Sequence, residues 1–318
     1  MRILVLGAGA LGGYFGGRLQ QAGAETAYLV RPRRREQLAR EGLVIESPFG
    51  AARLPVTTHA PGEGGTGWDI VLLTCKAYDL EDAIVAIRPS VGPETAILPV
   101  LNGLAHVARL QAEFGAGAVL GGLAKIQATL TAEGVVRQLN DWRWLTFGET
   151  DGRMSPRVEA LAALAGRAEG LVASAVPDIL QRMWEKLVHL GTSAIGTVLL
   201  RANTGEIARA PGGVGFMHRV LERNAAIAAA NGQPMPEAFM AEFRALFADP
   251  KGSYATSMLR DLEAGGRIEA DHILGFLLEA ARAAGVPHEA HEAAYLHAKA
   301  YEQRRDAGRL PGGDALAR

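Results

Sequence analysis

Short apolar runs alternate with amphipathic stretches through the first half of the chain. Residues 2–6 (RILVL), 25–30 (ETAYLV), 69–74 (DIVLLT) and 96–101 (AILPVL) are β-rich runs suited to strands buried on both faces. Between them, residues 14–22, 33–41 and 80–87 read as helices, the second stopped by Gly42. This alternation predicts a parallel sheet with helices on both faces. Residues 43–57 predict one or two edge strands broken at Pro48 and Gly50, and the glycine-rich residues 61–67 a loop. From Val119 the pattern changes. Residues 125–130, 135–139 and 143–147 predict added strands that close one side of the sheet, with Glu133-Gly134 as a hairpin turn. A helix over 155–171 then leads into a linker near 174–177.

The second half is helical in pattern. Ile179, Leu180, Met183, Trp184, Leu187 and Leu190 recur at helical spacing. Residues 216–230, 237–247, 257–264, 270–284 and 289–304 also read as helices, with Asn231-Gly232 and Gly285 as stops. The Gly/Ala-rich tail, 310–318, is expected to fray. The expected fold class is therefore α/β: a Rossmann-type doubly wound sheet over residues 1–175, then an all-helical domain over 176–318.

Composition narrows the function. A chain of 318 residues suggests two domains, and 48% hydrophobic with 21% charged residues excludes a disordered chain. The net charge of −1 argues against a nucleic-acid partner, which needs a basic surplus. No apolar run reaches 18 residues, so no membrane span is expected. Glycines interrupt the apolar start, against a signal peptide. Cys75, the single cysteine, makes no internal disulfide and points to a reducing, cytoplasmic setting.

Candidate chemistry begins after the first strand. Gly7, Gly9 and Gly12 fit G-x-G-x-x-G in the strand–turn–helix context that gives the motif meaning. Gly7 permits the turn, Gly9 lets the backbone approach a pyrophosphate, and Gly12 lets helix and strand pack closely. A nucleotide cofactor is expected. NAD sites usually end the second strand with an acid that binds the ribose 2′-hydroxyl. Arg31 stands there instead, 19 residues after Gly12, and a guanidinium suits a 2′-phosphate, so the expected cofactor is NADPH. Arg33, Arg34 and Arg35 behind it read as a solvated helix start. Lys76 after the third core strand and Asn102 after the fourth fall where open α/β sheets bind ligands. Cys75 reads as packing beside its strand. Lys186 lies on the polar side of its helix with Arg182, Glu185 and His189. Glu269 starts a helix, where the dipole favours a carboxylate. His288, His291 and Glu292 invite a metal reading, but their helix reads as exposed, no further ligand is evident and no metal is expected.

These residues bring a family into view. GAGALGG at 7–13, Arg31, LLTCKAYDL at 72–80, LNG at 101–103, WEKL at 184–187, TGE at 204–206 and SMLRDLEAGGRIEADHILG at 257–275 resemble the ketopantoate reductase family over nearly the whole chain. The resemblance implies a C-terminal domain similar to that of 6-phosphogluconate dehydrogenase. It also implies NADPH-dependent reduction of a 2-oxo acid to a 2-hydroxy acid, 2-dehydropantoate to pantoate in pantothenate biosynthesis. Carried over by position, Lys186 is the catalytic lysine and Glu269 its partner. Ser257, Asn102 and Thr204 contact substrate. Gly7, Gly9, Ala10, Leu11, Gly12, Arg31, Lys76, Asn102 and Glu269 contact cofactor. A homodimer through the helical domain is expected. Two positions depart: the family usually carries asparagines one and two helical turns after the lysine, where this chain has Leu190 and Ala194. Leucine and alanine cannot hydrogen-bond a substrate oxygen. The alternatives are a related reductase for a more apolar 2-oxo acid, another two-domain dehydrogenase such as a 3-hydroxy acid or imine reductase, or an inactive NADPH-binding regulator.

Overall fold

The computed structural model describes residues 1–310; the rest of the tail expected to fray lies outside them. The chain divides into two compact units, Met1–Met183 and Trp184–Arg318. The first contains β1 (Arg2–Leu6), α1 (Ala10–Gln21), β2 (Glu25–Leu29), α2 (Pro32–Glu41), β3 (Leu43–Glu46), β4 (Ala52–Leu54), β5 (Thr57–His59), β6 (Ile70–Leu73), α3 (Leu80–Ile87), β7 (Ala96–Pro99), α4 (Ala105–Phe114), β8 (Leu120–Leu130), β9 (Val136–Glu149), α5 (Pro156–Ala165) and β10 (Val172–Ala175).

One sheet has the order β5-β2-β1-β6-β7, with every pair parallel. Side chains alternate across it as strand geometry demands. Val5, Leu72 and Leu98 enter one core cluster, while Leu4, Val71 and Ile97 enter the cluster on the other face. Both faces are covered, so the strands read as near-continuous apolar runs. This is the Rossmann-type, doubly wound sheet that the pattern predicts.

The added strands take a different place. They form a second five-stranded sheet, β10-β9-β3-β4 with β8 on β9, so the expected closure of the first sheet is replaced. Between the parallel sheet and β8 lies an isolated bridge, Ile97 to Val119. The two strands expected at 135–139 and 143–147 are one long strand, β9, and its hairpin with β8 carries an irregularity between Ile126 and Ala128. Residues 43–57 split between the sheets, β3 and β4 joining the second and β5 the first. Helix α1 packs between the sheets: a Cβ on Gly12 would lie 3.1 Å from Val5, and one on Gly13 would lie 2.6 Å from Val136. The helix expected over 155–171 stops at Ala165, and the expected linker is β10, paired parallel with β9. An alternation pattern reports which face a residue shows, not which strand will take its backbone hydrogen bonds, so it could not specify these pairings.

Helix α6 (Ile179–Leu200) crosses the division between the units. The second unit continues with α7 (Thr204–Arg209), α8 (Gly213–Ala230), α9 (Glu237–Ala248), α10 (Ser257–Glu263), α11 (Phe276–Ala283) and α12 (Glu289–Asp306). The single helix expected over 270–284 is instead a π-helical turn, Asp271–Gly275, followed by α11. The Tyr295 hydroxyl and the Lys299 ammonium both donate to the Asp271 carboxylate, at 2.6 and 2.9 Å, and pin that turn.

His291, expected on an exposed helix, is fully buried. Its ring Nε2 lies 2.8 Å from Asn224 Oδ1, and Asn224 Nδ2 donates to Thr192 Oγ1 at 2.9 Å. The Asn224 oxygen must then accept, so His291 Nε2 carries the donated proton. Its pKa falls to about 4, chiefly through burial. An unfolded histidine titrates near ~6.5. The native state thus binds fewer protons, and the stability linked to neutral His291 is complete above that value and lost as pH falls toward 4. The full effect is about 3 kcal/mol on the usual conversion of pKa units. Urea midpoints taken from pH 7.5 down to pH 4.5 should fall more steeply for the wild type than for His291→Gln, which cannot titrate. Equal slopes would remove His291 as the cause.

Candidate functional site

The carboxyl edge of the parallel sheet gathers the nucleotide-side candidates. Gly7 follows β1, Arg31 follows β2, Lys76 follows β6 and Asn102 follows β7. The crossover between β1 and β6 is where the chain winds in opposite directions, the place where such sheets open a crevice. Thr74 Oγ1 donates to the Leu6 carbonyl at 2.7 Å and ties the ends of those two strands together. Gly7 has φ +90°, a conformation side chains resist, so glycine is required at the turn.

A dinucleotide fits this loop on two observations. Helix α1 begins after Gly9 with no capping side chain and no acidic residue in its first turn, so its N-terminal N–H groups and dipole are left to an anion. A Cβ on Gly9 would meet nothing within 4 Å, so the space over the helix end is open.

Arg31 stands at the N-cap position of α2 without capping it, its side chain 76% exposed, with Nη2 3.4 Å from Asp79 Oδ2. An exposed pair of this length contributes little stability, so the guanidinium can turn toward another anion at small cost. Arg33 and Arg35 are exposed, as a solvated helix start requires, but Arg34 is not. Its Nε donates to the Ala8 carbonyl at 3.0 Å and its Nη1 to the Gly134 carbonyl at 2.8 Å, clamping the nucleotide loop to the β8–β9 hairpin. Nothing in the local sequence separates Arg34 from its neighbours; only the hairpin 100 residues away does. Lys76 is exposed at the head of a 3₁₀ turn, Asn102 is half-buried, and Cys75 packs against the α3-side core.

The second unit gathers the rest. Lys186 lies in the second turn of α6, flanked by buried Trp184, Leu187 and Val188. It is half-buried rather than solvent-facing. Loss of solvent pulls its pKa down to about 8, and the negative charge of Glu269 pulls the other way. Glu269 itself is buried, 7% exposed, just before the π-helical turn, with its carbonyl accepting the Ile273 N–H at 3.2 Å. The fold thus brings together an ammonium poised near neutral pH and a carboxylate from residues 83 apart in sequence.

Ser257 opens α10 beside its cap Thr256, whose hydroxyl is 2.9 Å from that of Thr197 on α6. Thr204 opens α7 after Asn203, which forms a capping box with Glu206. The Thr204 side chain is buried close to Gly252, and its N–H donates to the Tyr254 carbonyl at 3.0 Å. Leu190 is half-buried and Ala194 fully buried. An aromatic cluster joins α6, α9 and the segment before α10: His189 stacks on Phe243 with ring centroids 4.3 Å apart, and Tyr254 is 5.7 Å from His189. Of these rings, only His189 stands among the candidates read from the sequence. The cluster's signal was there in Phe239, Phe243 and Phe247, four residues apart on one side of α9.

A Rossmann-type unit followed by a helical unit with a lysine in the field of a buried carboxylate is an arrangement suited to a two-part oxidoreductase. The family model described as ketopantoate reductase PanE/ApbA matches residues 3–152, and its C-terminal counterpart matches residues 178–302. The uncharacterized oxidoreductase YkpB of Bacillus subtilis is 32% identical, over 96% of this chain and 100% of that one. The 2-dehydropantoate 2-reductase of Halobacterium salinarum is 31% identical, over 89% of this chain and 92% of its own. The crystal structure of 2-dehydropantoate 2-reductase from Methylococcus capsulatus superposes with a TM-score of 0.85 at 30% identity, covering 96% of this chain and 98% of that one. The chain belongs to the ketopantoate reductase family, and it is an oxidoreductase. Among the described residues, no helix is long and apolar enough to cross a membrane, and no group of three or more His, Cys, Asp or Glu residues could hold a metal ion.

Proposed function

We propose that this enzyme reduces a 2-oxo acid to a 2-hydroxy acid with NADPH. Family membership makes 2-dehydropantoate, reduced to pantoate for pantothenate biosynthesis, the first substrate to test. The observation that carries the reading is the half-buried Lys186, its pKa brought to about 8, within the field of buried Glu269. Residues 1–175 hold the nucleotide and residues 176–318 the substrate.

Bound NADPH supplies a hydride from its nicotinamide. As the ketone carbon gains that hydride, negative charge grows on the ketone oxygen. Lys186 Nζ stabilises the oxygen and then gives it a proton, which an ammonium near pKa 8 does far more readily than one near 10.5. Glu269 keeps the lysine charged and orients it. Ser257, Thr204 and Asn102 are the proposed substrate contacts. Gly7, Gly9, Ala10, Leu11 and Gly12 present backbone to the pyrophosphate, and Lys76 and Glu269 complete the cofactor's surroundings. An inactive regulator would have no use for the paired Lys186 and Glu269.

The 2′-phosphate falls to Arg31. A charged hydrogen bond contributes about 1.5–3 kcal/mol, so Arg31→Ala should weaken NADPH binding by about ten- to a hundredfold. NADH binding should change little. Titrating both cofactors by fluorescence decides it: equal losses would remove Arg31 from the 2′-phosphate.

A second reading rests on Leu190 and Ala194, of which Leu190 alone keeps exposed surface to offer a substrate. A substrate hydroxyl left without its partner in a closed site costs about 1–3 kcal/mol. Apolar positions here favour a less hydroxylated 2-oxo acid over 2-dehydropantoate, by about tenfold in kcat/KM for one lost contact. We also place the enzyme in the cytoplasm as a homodimer formed through the helical unit, which sedimentation equilibrium tests directly.

A further inference from the structure

The aromatic cluster of the second unit is bracketed by three of the proposed active-site residues. His189 follows Lys186 by three residues on α6, so both side chains leave neighbouring positions of one helix face. Tyr254 precedes Ser257 by three residues, and its carbonyl binds the N–H of Thr204. His189 joins the two sides: Phe243 stacks on it with planes 25° apart, and the Tyr254 ring lies 5.7 Å from it. Phe247 is fully buried behind them, 6.4 Å from both His189 and Phe243. His189, Phe243 and Tyr254 each keep part of their surface exposed. One turn past Lys186, Leu190 adds hydrocarbon where a hydrogen-bonding side chain is absent.

A run of ring faces is a selective surface. Flat aromatic groups extend an offset stack and gain more than their buried area alone provides, whereas a branched, hydroxylated aliphatic chain gains only contact area and loses water from its hydroxyl. We infer that His189, Phe243 and Tyr254 form the side-chain subsite of the substrate pocket, and that the substrate is a 2-oxo acid carrying an aromatic ring. This rests on the reductase reading above. The reaction balances as before. The ketone carbon gains a C–H bond from the hydride, the carbonyl π pair moves to oxygen, and oxygen takes the Lys186 proton. The ketone is reduced and the nicotinamide oxidised.

The experiment ranks phenylglyoxylate, phenylpyruvate, 2-oxobutyrate and 2-dehydropantoate by kcat/KM under one NADPH concentration. It does so for the wild type, Phe243→Leu and Tyr254→Leu, with near-wild-type melting temperature required of each variant. An aryl 2-oxo acid should rank first. In each variant the ratio of aryl kcat/KM to that of 2-oxobutyrate should fall by about three- to tenfold, the range of one lost aromatic contact, through KM rather than kcat. First place for 2-dehydropantoate, or an aryl ratio unmoved in both folded variants, overturns the subsite while leaving a 2-oxo acid reductase. No NADPH oxidation with any of the four acids overturns the reductase reading itself, and the subsite with it.

Discussion

With the proposed reaction, Lys186→Ala should lower kcat for 2-oxo acid reduction by about 10²–10⁴, the usual contribution of a positioned general acid, while NADPH affinity stays near that of the wild type. The direction of the pH dependence follows from which form works. In the proposed mechanism the protonated lysine donates; burial brings its pKa to about 8, so kcat/KM should be flat below that value and fall as pH rises through it. The descending limb should vanish in Lys186→Ala. Glu269 raises the lysine's pKa against the pull of burial. Glu269→Gln should therefore move the limb to lower pH, so that activity at pH 8 falls more than activity at pH 6. Stopped-flow NADPH oxidation across pH 5.5–9.5 measures all three. A wild-type rate in Lys186→Ala would falsify the assignment. A limb that stays in place in Glu269→Gln would separate the carboxylate from the lysine.

The second large effect is at the nucleotide loop, and it separates folding from binding. In Gly12→Ala the new Cβ would lie 2.1 Å from the Gly7 carbonyl oxygen and 2.6 Å from Thr74 Oγ1. The first neighbour is backbone, so the loop itself must move, at about 1–3 kcal/mol. A melting temperature lower by several degrees is expected. NADPH should bind at least roughly tenfold more weakly, because the N–H groups at the start of α1 are no longer aimed together, and each tenfold is about 1.4 kcal/mol. Gly9→Ala is the contrast. Its φ is −80° and its Cβ would meet nothing within 4 Å, so the fold should tolerate it. The methyl would stand in the open space proposed for the pyrophosphate. The expected result is an unchanged melting temperature with NADPH affinity reduced at least roughly tenfold, read by calorimetry. Retained affinity in Gly9→Ala would place the phosphates elsewhere.

Much of this was legible from residues alone. The four core strands and the glycine loop are local features: continuous β-rich runs, a strand–turn–helix context, and a turn whose φ only glycine adopts readily. Helices α6, α8, α9, α10 and α12 were visible in their apolar spacing, though α6 runs ten residues past Leu190, to Leu200. The short helices α4 and α7 were passed over, α7 despite a capping box at Asn203 and Glu206. The π-helical turn before α11 was out of reach, because what pins it is a carboxylate held by Tyr295 and Lys299, more than 20 residues on.

What the chain determined by itself was therefore the parallel sheet, the helical second half and the residue types available for chemistry, since each follows from short-range periodicity and backbone preference. What only the tertiary structure decided was pairing and environment. The strands after Val119 were readable as strands, but their gathering into a second sheet depended on partners far off in sequence. Arg31 and Arg34 are alike in type and stand three residues apart; one faces solvent, and the other is drawn in by the carbonyls of Ala8 and Gly134. Lys186 stands on the polar side of its helix, yet burial and Glu269 set its proton affinity, and His291, on a helix whose pattern reads as exposed, is buried beside Asn224. Solvation and charge pairing act through space, and a side chain's distance from water or from an opposite charge is set only once the helices have packed.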